Sequence, residues 1–550
     1  MTAVDVSTTA ARWLAAEPDD DVRVELQALI DGDQDELARR FSGGLTFGTA
    51  GLRAAIGAGP LRMNRLVVRQ AAAGLAAYLL EIDPEASERG VVIGWDARRK
   101  SDVFALDTAS VMAAAGIRAM LLPRPLPTPV LAWTITDLDA AAGIVVTASH
   151  NPPEDNGYKV YLGDGSQIVP PHDEEISKRI FAVDATTVTL ASEDHELIER
   201  LDETPVERYV EAVPDVRVRL DVAGVPVAYT AMHGVGGEIV MRAFEAAGLG
   251  APISVDEQFS PDPTFPTVPF PNPEEPGAMD LLVQLAIERD AQLALANDPD
   301  ADRLGAAIPQ PDGSWRRLGG DEIGWLLADH ILRNTEGGDR LVVTTLVSSS
   351  QLADMARHHG VHFAETYTGF KWIGRTVLDR PDQRFVFGYE QALGYLVAQR
   401  PLDKDGITAA VVLAEAAAVA AAEGGTLQGR LDELAEQFGR HHVADRSIRM
   451  DQAQAAERVR QLTEAPPTEL GGAAVVGVQA YPDAALLRLE LDGDVRVQIR
   501  PSGTEPKVKL YAEAIGSDPT PYLDALAELV AGSEASGAGH DGRPRATAGC

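Results

Sequence analysis

The chain reads as an α/β protein of four domains around a central cleft, with three repeated α/β domains of mixed and parallel sheets and a smaller C-terminal α+β domain. Three observations predict this. A strand–helix–strand pattern occurs three times, and each helix closes on a glycine. Each pattern is followed by another apolar run that ends in a polar loop. Beyond about Val443 the pattern changes to paired antiparallel strands. Repeats of the first kind build parallel sheets covered by helices.

In the first unit residues 91–94 read as a strand, 104–115 as a helix stopped at Gly116, and 117–122 as the returning strand. The second unit repeats this over 225–229, 238–247 with Gly248, and 252–255. The third does so over 341–345, 350–359 with Gly360, and 361–364. Glycine is the residue expected at a left-handed helix cap. The further strands, 143–146, 293–296 and 385–387, run into loops at Ser149, at Asp298 and at Gly388-Tyr389-Glu390-Gln391. Ligands of α/β sheets gather at the carboxyl ends of strands, so three such loops point to one shared cleft. Near the end, strands at 486–491, 495–500 and 507–512 precede a helix at 521–531. The expected divisions are 1–210, 211–325, 326–442 and 443–532, with 533–550 a disordered tail poor in core-forming residues.

A length of 550 residues exceeds a single core. The net charge of −35 speaks against nucleic acid and against an anionic membrane surface. It also requires any site for a phosphate ester to be locally basic. The lone cysteine, Cys550, rules out an intrachain disulfide and fits a reducing compartment. The acidic start lacks a signal-peptide core, and the most apolar helix candidate, 407–422, is short for a bilayer and carries Glu415. A cytoplasmic enzyme, monomer or homodimer, is the expectation.

Thr147-Ala148-Ser149-His150-Asn151-Pro152 ends one apolar run with a hydroxyl, an imidazole and a turn. Asn156-Gly157-Tyr158-Lys159 brings an ammonium back beside it, able to stabilise phosphate charge or move a proton. Asp298-Pro299-Asp300-Ala301-Asp302-Arg303 ends another run with carboxylates at alternate positions, which an extended loop would turn to one side to hold a hard divalent cation. It is no EF-hand, because Arg303 and Pro309 stand where that loop needs glycine and glutamate. A serine able to carry phosphate beside a carboxylate-held metal is the equipment of phosphoryl transfer. Arg500-Pro501-Ser502-Gly503-Thr504-Glu505-Pro506-Lys507 reads as a phosphate clamp of guanidinium fork, hydroxyls and close backbone amides. His233-Gly234-Val235-Gly236-Gly237 offers a second anion nest before a helix, without a dinucleotide fingerprint. Arg53, closing Thr46-Phe47-Gly48-Thr49-Ala50-Gly51-Leu52, is a lone arginine on a glycine-rich loop.

Together and in this order, these segments resemble the α-D-phosphohexomutase superfamily from about Phe47 to Ala512, nearest the longer phosphoglucomutase/phosphopentomutase-like branch. The resemblance implies four domains around one cleft, a phosphoserine at Ser149, and Mg²⁺ held by Asp298, Asp300, Asp302 and the phosphate on Ser149. It implies that Arg53, His150, Lys159 and Arg303 stabilise the transferring group, with Lys159 a general acid/base. Thr368, Gly369, Lys371 and Glu390 would meet sugar hydroxyls, and Arg500, Ser502, Gly503, Thr504 and Lys507 the substrate's own phosphate. The sugar loop departs from the family pattern: a serine is expected shortly after its glutamate, and Gln391 and Ala392 stand there, an amide replacing a hydroxyl. The implied activity interconverts hexose 1- and 6-phosphates, glucose first and mannose next, through glucose 1,6-bisphosphate. Ribose phosphate is the alternative sugar; a sugar phosphatase that works through the same phosphoserine and a silent phosphosugar-binding protein are alternatives of other classes.

Overall fold

The computed structural model describes residues 3–48, 51–502 and 506–532. Two compact units make up the chain, Met1–Glu433 and Leu434–Cys550.

The first unit holds three sheets. The first contains β1 (Leu52–Ala55), β2 (Val91–Trp95), β3 (Ala119–Leu121), β4 (Ala142–Val146), β5 (Asp155–Leu162) and β6 (Ile198–Arg200), in the order β1-β5-β4-β2-β3-β6. The second contains β7 (Val227–Thr230), β8 (Ile253–Ser254), β9 (Leu293–Asn297), β10 (Leu304–Pro309) and β11 (Trp315–Arg317), in the order β11-β10-β9-β7-β8. The third contains β12 (Arg340–Thr345), β13 (His362–Thr366), β14 (Arg384–Glu390) and β15 (Gly394–Leu396), in the order β13-β12-β14-β15.

One plan underlies all three. The unit's first strand is central and parallel to the other two, giving β4-β2-β3, β9-β7-β8 and β14-β12-β13. The third strand then turns back into an antiparallel partner, β5, β10 or β15. The Ser149, Asp298 and Gln391 loops are thus the same turn in three repeats. β4 and β9 are buried throughout, which is why they appear in the sequence as unbroken apolar runs.

The glycine stops are helix caps of one kind. Gly116, Gly248 and Gly360 have φ of 81°, 71° and 62°. The amides after them, on Ile117, Leu249 and Val361, each reach back 3.0 Å to the carbonyls of Met112, Phe244 and Ala356. This is the Schellman closure. Because it engages the residue after the glycine, the following strands begin later than the sequence suggests, at Ala119, Ile253 and His362. Each unit also carries a second helix that the apolar pattern did not reveal: Thr128–Asp137, Asp280–Glu288 and Phe370–Leu378. The first two run on to Asp139 and Asp290, both left-handed at φ 50° and 49°. Aspartate tolerates that conformation without announcing it as glycine does.

Three short helices, Ala3–Ala16, Asp20–Asp31 and Gln34–Arg40, precede the first sheet. Trp13 and Leu26 from the first two, with Phe41 at the end of the third, pack into a core with Leu66 and Val67. No single helix among the described residues is long and apolar enough to cross a membrane.

The second unit is a sheet of β16 (His441–Arg449), β17 (Glu469–Leu470), β18 (Ala473–Tyr481), β19 (Leu486–Leu491), β20 (Val495–Pro501) and β21 (Lys507–Ile515), in the order β16-β21-β20-β19-β18-β17. Every neighbouring pair is antiparallel. Helices Gln452–Glu464 and Thr520–Ala531 supply Val459, Leu523 and Leu526 to a core with Leu489, Val497 and Leu510. The tail reading for 533–550 lies outside the described residues.

Candidate active site

Ser149 sits at the turn between β4 and β5, buried, with φ 54°. Its hydroxyl donates to Asp298 Oδ2 at 2.7 Å and lies 3.2 Å from His150 Nδ1. Burial and the nearby Arg303 and Arg53 guanidinium groups press His150 well below its ordinary range, so its imidazole is neutral at pH 7. The turns of the first two sheets therefore meet at one hydrogen bond.

The carboxylates converge by a route other than the extended loop expected. Ala301 is left-handed at φ 54° and its amide returns to Asp298 O at 2.8 Å, so the segment curls into a tight turn. Asp298, Asp300 and Asp302 are fully buried, and one oxygen from each lies within 4.8 Å of the others. Asp300 Oδ2 accepts from Thr128 at 2.6 Å and from Lys159 Nζ at 2.6 Å; Asp302 Oδ2 accepts from Lys159 at 2.7 Å. Asp300 Oδ1 and Asp302 Oδ1 are buried with no hydrogen-bond partner among the described residues. Two orphaned carboxylate oxygens beside a third carboxylate are a donor set suited to a hard divalent cation.

Charge is unevenly divided here. Burial and its two neighbours push Asp298 well above the usual carboxylate range. Burial also pushes Asp302 up, but Lys159, Lys404 and Arg303 outweigh it and hold that group low. Burial lowers Lys159, yet Asp300 and Asp302 more than restore its charge. Lys159 as observed is an ammonium donor.

Arg53, on β1 opposite Gly157, donates to Asn151 Oδ1 at 3.2 Å. Arg303 lies 3.8 Å from Glu274 Oε2. The Nε atoms of Arg53 and Arg303 are buried without a partner among the described residues, which suits a site that receives an anion. These buried cations supply the local basicity that an acidic chain needs for a phosphate ester.

The third sheet joins through its own turn. Leu304 N donates to Leu393 O at 3.0 Å, tying the carboxylate loop to the β14–β15 turn. Glu390 ends β14 rather than lying in a loop, and its Oε1 accepts from Gly369 N at 3.1 Å. Thr368 Oγ1 is buried without a partner among the described residues. Lys371 Nζ is 3.6 Å from Asp173, and burial lowers its pKa. The Gln391 carboxamide oxygen accepts from Ser348 Oγ at 3.1 Å, so that atom is anchored inside the fold.

The residues expected to form the phosphate clamp belong to the second unit. Arg500 Nε reaches Tyr511 Oη at 3.3 Å, and Ser502 N donates to Lys507 O at 2.8 Å, closing the turn from β20 to β21. Gly503 and Thr504 lie outside the described residues.

The 233–237 segment offers less of an anion nest than its sequence implies, because three of its five amides, on His233, Gly234 and Val235, already donate to Gln258 O, Ala231 O and Pro299 O. A Cβ on Gly234 would fall 2.4 Å from Pro299 Cα. The glycine lets the backbone press against the carboxylate loop and brace it. Sequence reasoning also missed Asp96, Arg98, Thr128 and Lys404. Lys404 Nζ stands 3.3 Å from Asp302 Oδ2. None of them lies in the loops that carry the recognisable motifs.

Family models described as phosphoglucomutase/phosphomannomutase match four successive stretches: α/β/α domain I over 44–187, domain II over 207–313, domain III over 319–438, and the C-terminal domain over 448–521. A probable phosphomannomutase from Haemophilus influenzae is 43% identical over 477 residues, covering 85% of this chain and 96% of that one. The phosphopentomutase of Homo sapiens is 34% identical over 589 residues, covering 95% and 94%. Among solved structures, a phosphoglucomutase/phosphomannomutase family protein from Burkholderia thailandensis superposes with a TM-score of 0.69 at 22% identity, covering 88% of this chain and 96% of that one. That last likeness speaks to the fold alone.

Proposed function

This chain belongs to the phosphoglucomutase/phosphomannomutase family, and from that premise we propose that it interconverts hexose 1-phosphates and 6-phosphates, glucose first and mannose next. Phosphorylated Ser149 gives its phosphoryl group to the free hydroxyl of a sugar monophosphate. The resulting 1,6-bisphosphate turns end for end, and its other phosphoryl group returns to Ser149. The observation that carries the reading is the Ser149 hydroxyl 2.7 Å from Asp298, beside the unpartnered oxygens of Asp300 and Asp302.

Asp298, Asp300, Asp302 and a phosphate oxygen on Ser149 would hold Mg²⁺, which when bound supplies charge that polarises the phosphoryl group. The remaining work falls to the chain. Arg53 and Arg303 offer guanidinium N–H groups to the equatorial phosphoryl oxygens. Neutral His150 can share the Ser149 proton, and the Lys159 ammonium gives a proton to the departing oxygen and then, as the amine so formed, takes one from the attacking hydroxyl. Glu390, Thr368, Gly369, Lys371 and Gln391 meet the ring, while Arg500, Ser502, Gly503, Thr504 and Lys507 grip the idle phosphate. That grip must accept either end of the bisphosphate, so it recognises phosphate rather than sugar. A domain layout of 1–210, 211–325, 326–442 and 443–532, and a cytoplasmic setting, belong to the same proposal; the latter is supported by the lone cysteine.

A second reading exchanges ribose 1- and 5-phosphates. It is favoured by the anchored Gln391 and by Ala392, which leave the sugar loop fewer donors for a hexose than a serine would.

Turnover of glucose, mannose and ribose 1-phosphates with Mg²⁺ and catalytic glucose 1,6-bisphosphate, following isomer and inorganic phosphate together, tests both. Isomer without phosphate release is expected, with glucose fastest. A ribose preference selects the second reading, and stoichiometric phosphate release would make the protein a hydrolase. Ser149→Ala should reduce isomer formation to background while the fold is kept.

A further inference from the structure

We propose that Arg98 is a positioning residue that holds the Ser149 loop in the shape from which phosphoryl transfer occurs. The inference rests on the phosphoserine reading above. Arg98 lies between β2 and the helix Ser101–Ala114 and is 4% exposed. It sits outside every motif recognised in the sequence. Its guanidinium donates to the carbonyls of Ser149 at 2.6 Å, Pro152 at 2.7 Å and Asp155 at 3.2 Å, and also to Asn151 O. One planar fork therefore binds the Ser149–Asp155 loop at four points. A lysine ammonium, a compact point charge, cannot span them.

The other side of the serine is held from the same centre. Asp96 Oδ2 stands 3.3 Å from Arg98 Nε and accepts the Thr147 hydroxyl at 2.6 Å. Thr147 Oγ1 in turn accepts the Ser149 N–H at 2.9 Å. Asp96 is itself fixed by the Ser101 hydroxyl at 2.7 Å and by the Arg98 amide at 3.0 Å. Both backbone groups of Ser149 thus lead back to the Asp96–Arg98 pair.

This matters because Ser149 has φ 54°, a region that costs a non-glycine residue energy. Without the network the loop can relax toward ordinary backbone angles. Such a relaxation would carry the hydroxyl away from Asp298. The ring of Phe265, from the segment between β8 and β9, lies 5.0 Å from the guanidinium carbon. It links the serine loop to the domain that supplies the carboxylates.

Arg98 acts through Ser149, so its loss should appear in kcat and leave substrate grip alone. Misplacement of a reacting group by about 1 Å costs on the order of 100-fold. Arg98→Lys is expected to lower kcat by roughly that factor with KM changed less than about twofold, and to slow phosphorylation of Ser149 by glucose 1,6-bisphosphate, read by intact mass. Arg98→Ala should recover part of its rate when guanidinium ion is added at millimolar concentration. Unchanged kcat and phosphorylation rate in a folded Arg98→Lys, or an effect confined to KM, would overturn the proposal. If Arg98→Lys fails to fold, Thr147→Val decides: slowed phosphorylation of Ser149 supports the network, and a wild-type rate overturns it. A wild-type chain that takes phosphate onto Ser149 yet forms no isomer defeats the mutase reading alone.

Discussion

Asp300 divides its labour between two oxygens: Oδ2 accepts from Thr128 and Lys159, while Oδ1 has no partner among the described residues. Asp300→Asn keeps the shape and removes the charge, so half-maximal activation by Mg²⁺ should move up on the order of tenfold or more. An unaltered metal titration would count against the triad as a metal site. Gly234 tests the bracing from behind. A methyl there meets the Pro299 backbone at 2.4 Å, and neither backbone segment is free to yield. Gly234→Ala should cost about 1–3 kcal/mol and weaken Mg²⁺ activation without touching a carboxylate; wild-type values for both would mean the contact relaxes freely. The alternate spacing of the three aspartates was visible in the sequence. What brings them together was not, because it depends on left-handed Ala301 and on a glycine more than sixty residues upstream.

Among the elements, those whose signals are local were the legible ones. Apolar runs at β2, β4, β7, β9 and β12, and glycine closures at Gly116, Gly248 and Gly360, are written in consecutive residues. The helices Thr128–Asp137 and Asp280–Glu288 went unseen because aspartate stands where a cap glycine would. The order of the strands was not written locally either, and it is that order which makes the Ser149, Asp298 and Gln391 turns equivalent. The cap glycines give a clean contrast with Gly234. At Gly116 and Gly360 an added methyl would meet nothing within 4 Å among the described residues, so the positive φ is what opposes alanine. Gly116→Ala and Gly360→Ala should each cost about 1 kcal/mol, lower the melting temperature slightly and leave kcat unchanged. A large loss of activity from either would show that these caps serve the site and not merely the helix.

Across the whole molecule the −35 net charge coexists with buried carboxylates, and two of these, shifted in opposite directions, respond oppositely to pH. Glu415, fully buried in the helix Gly406–Ala422, accepts from Arg217 Nε at 2.7 Å, from the amides of Val218 and Arg219 at 2.9 and 3.1 Å, and contacts His330 Nε2 at 2.8 Å. It ties the segment leading into the second sheet to the helices of the third. Burial alone would raise its pKa, but His330, the Val218 amide and Arg217 outweigh it and hold it down at about 2. A depressed carboxylate contributes stability that is present above its unfolded value of 4.5 and is lost as pH falls toward 2. Glu17, after the first helix, is the opposite case, pushed up by burial to about 7 from 4.5. Between those values the folded state keeps a proton that the unfolded chain releases, so this group lowers stability as pH rises through that window, and the penalty then stays constant above about pH 7. Glu415→Gln should therefore cost about 3–5 kcal/mol near pH 7, because it leaves Arg217 buried without its counter-charge, and should flatten the acid limb of the stability curve. Glu17→Gln should do the reverse, gaining up to about 3 kcal/mol at pH 8 and little at pH 4. Chemical unfolding midpoints of the two variants and the wild type, taken from pH 3 to pH 9, would separate these effects. A Glu17→Gln curve that runs parallel to the wild type through that range would mean Glu17 is ionised in the folded protein, with Lys100 and Arg69 compensating its burial.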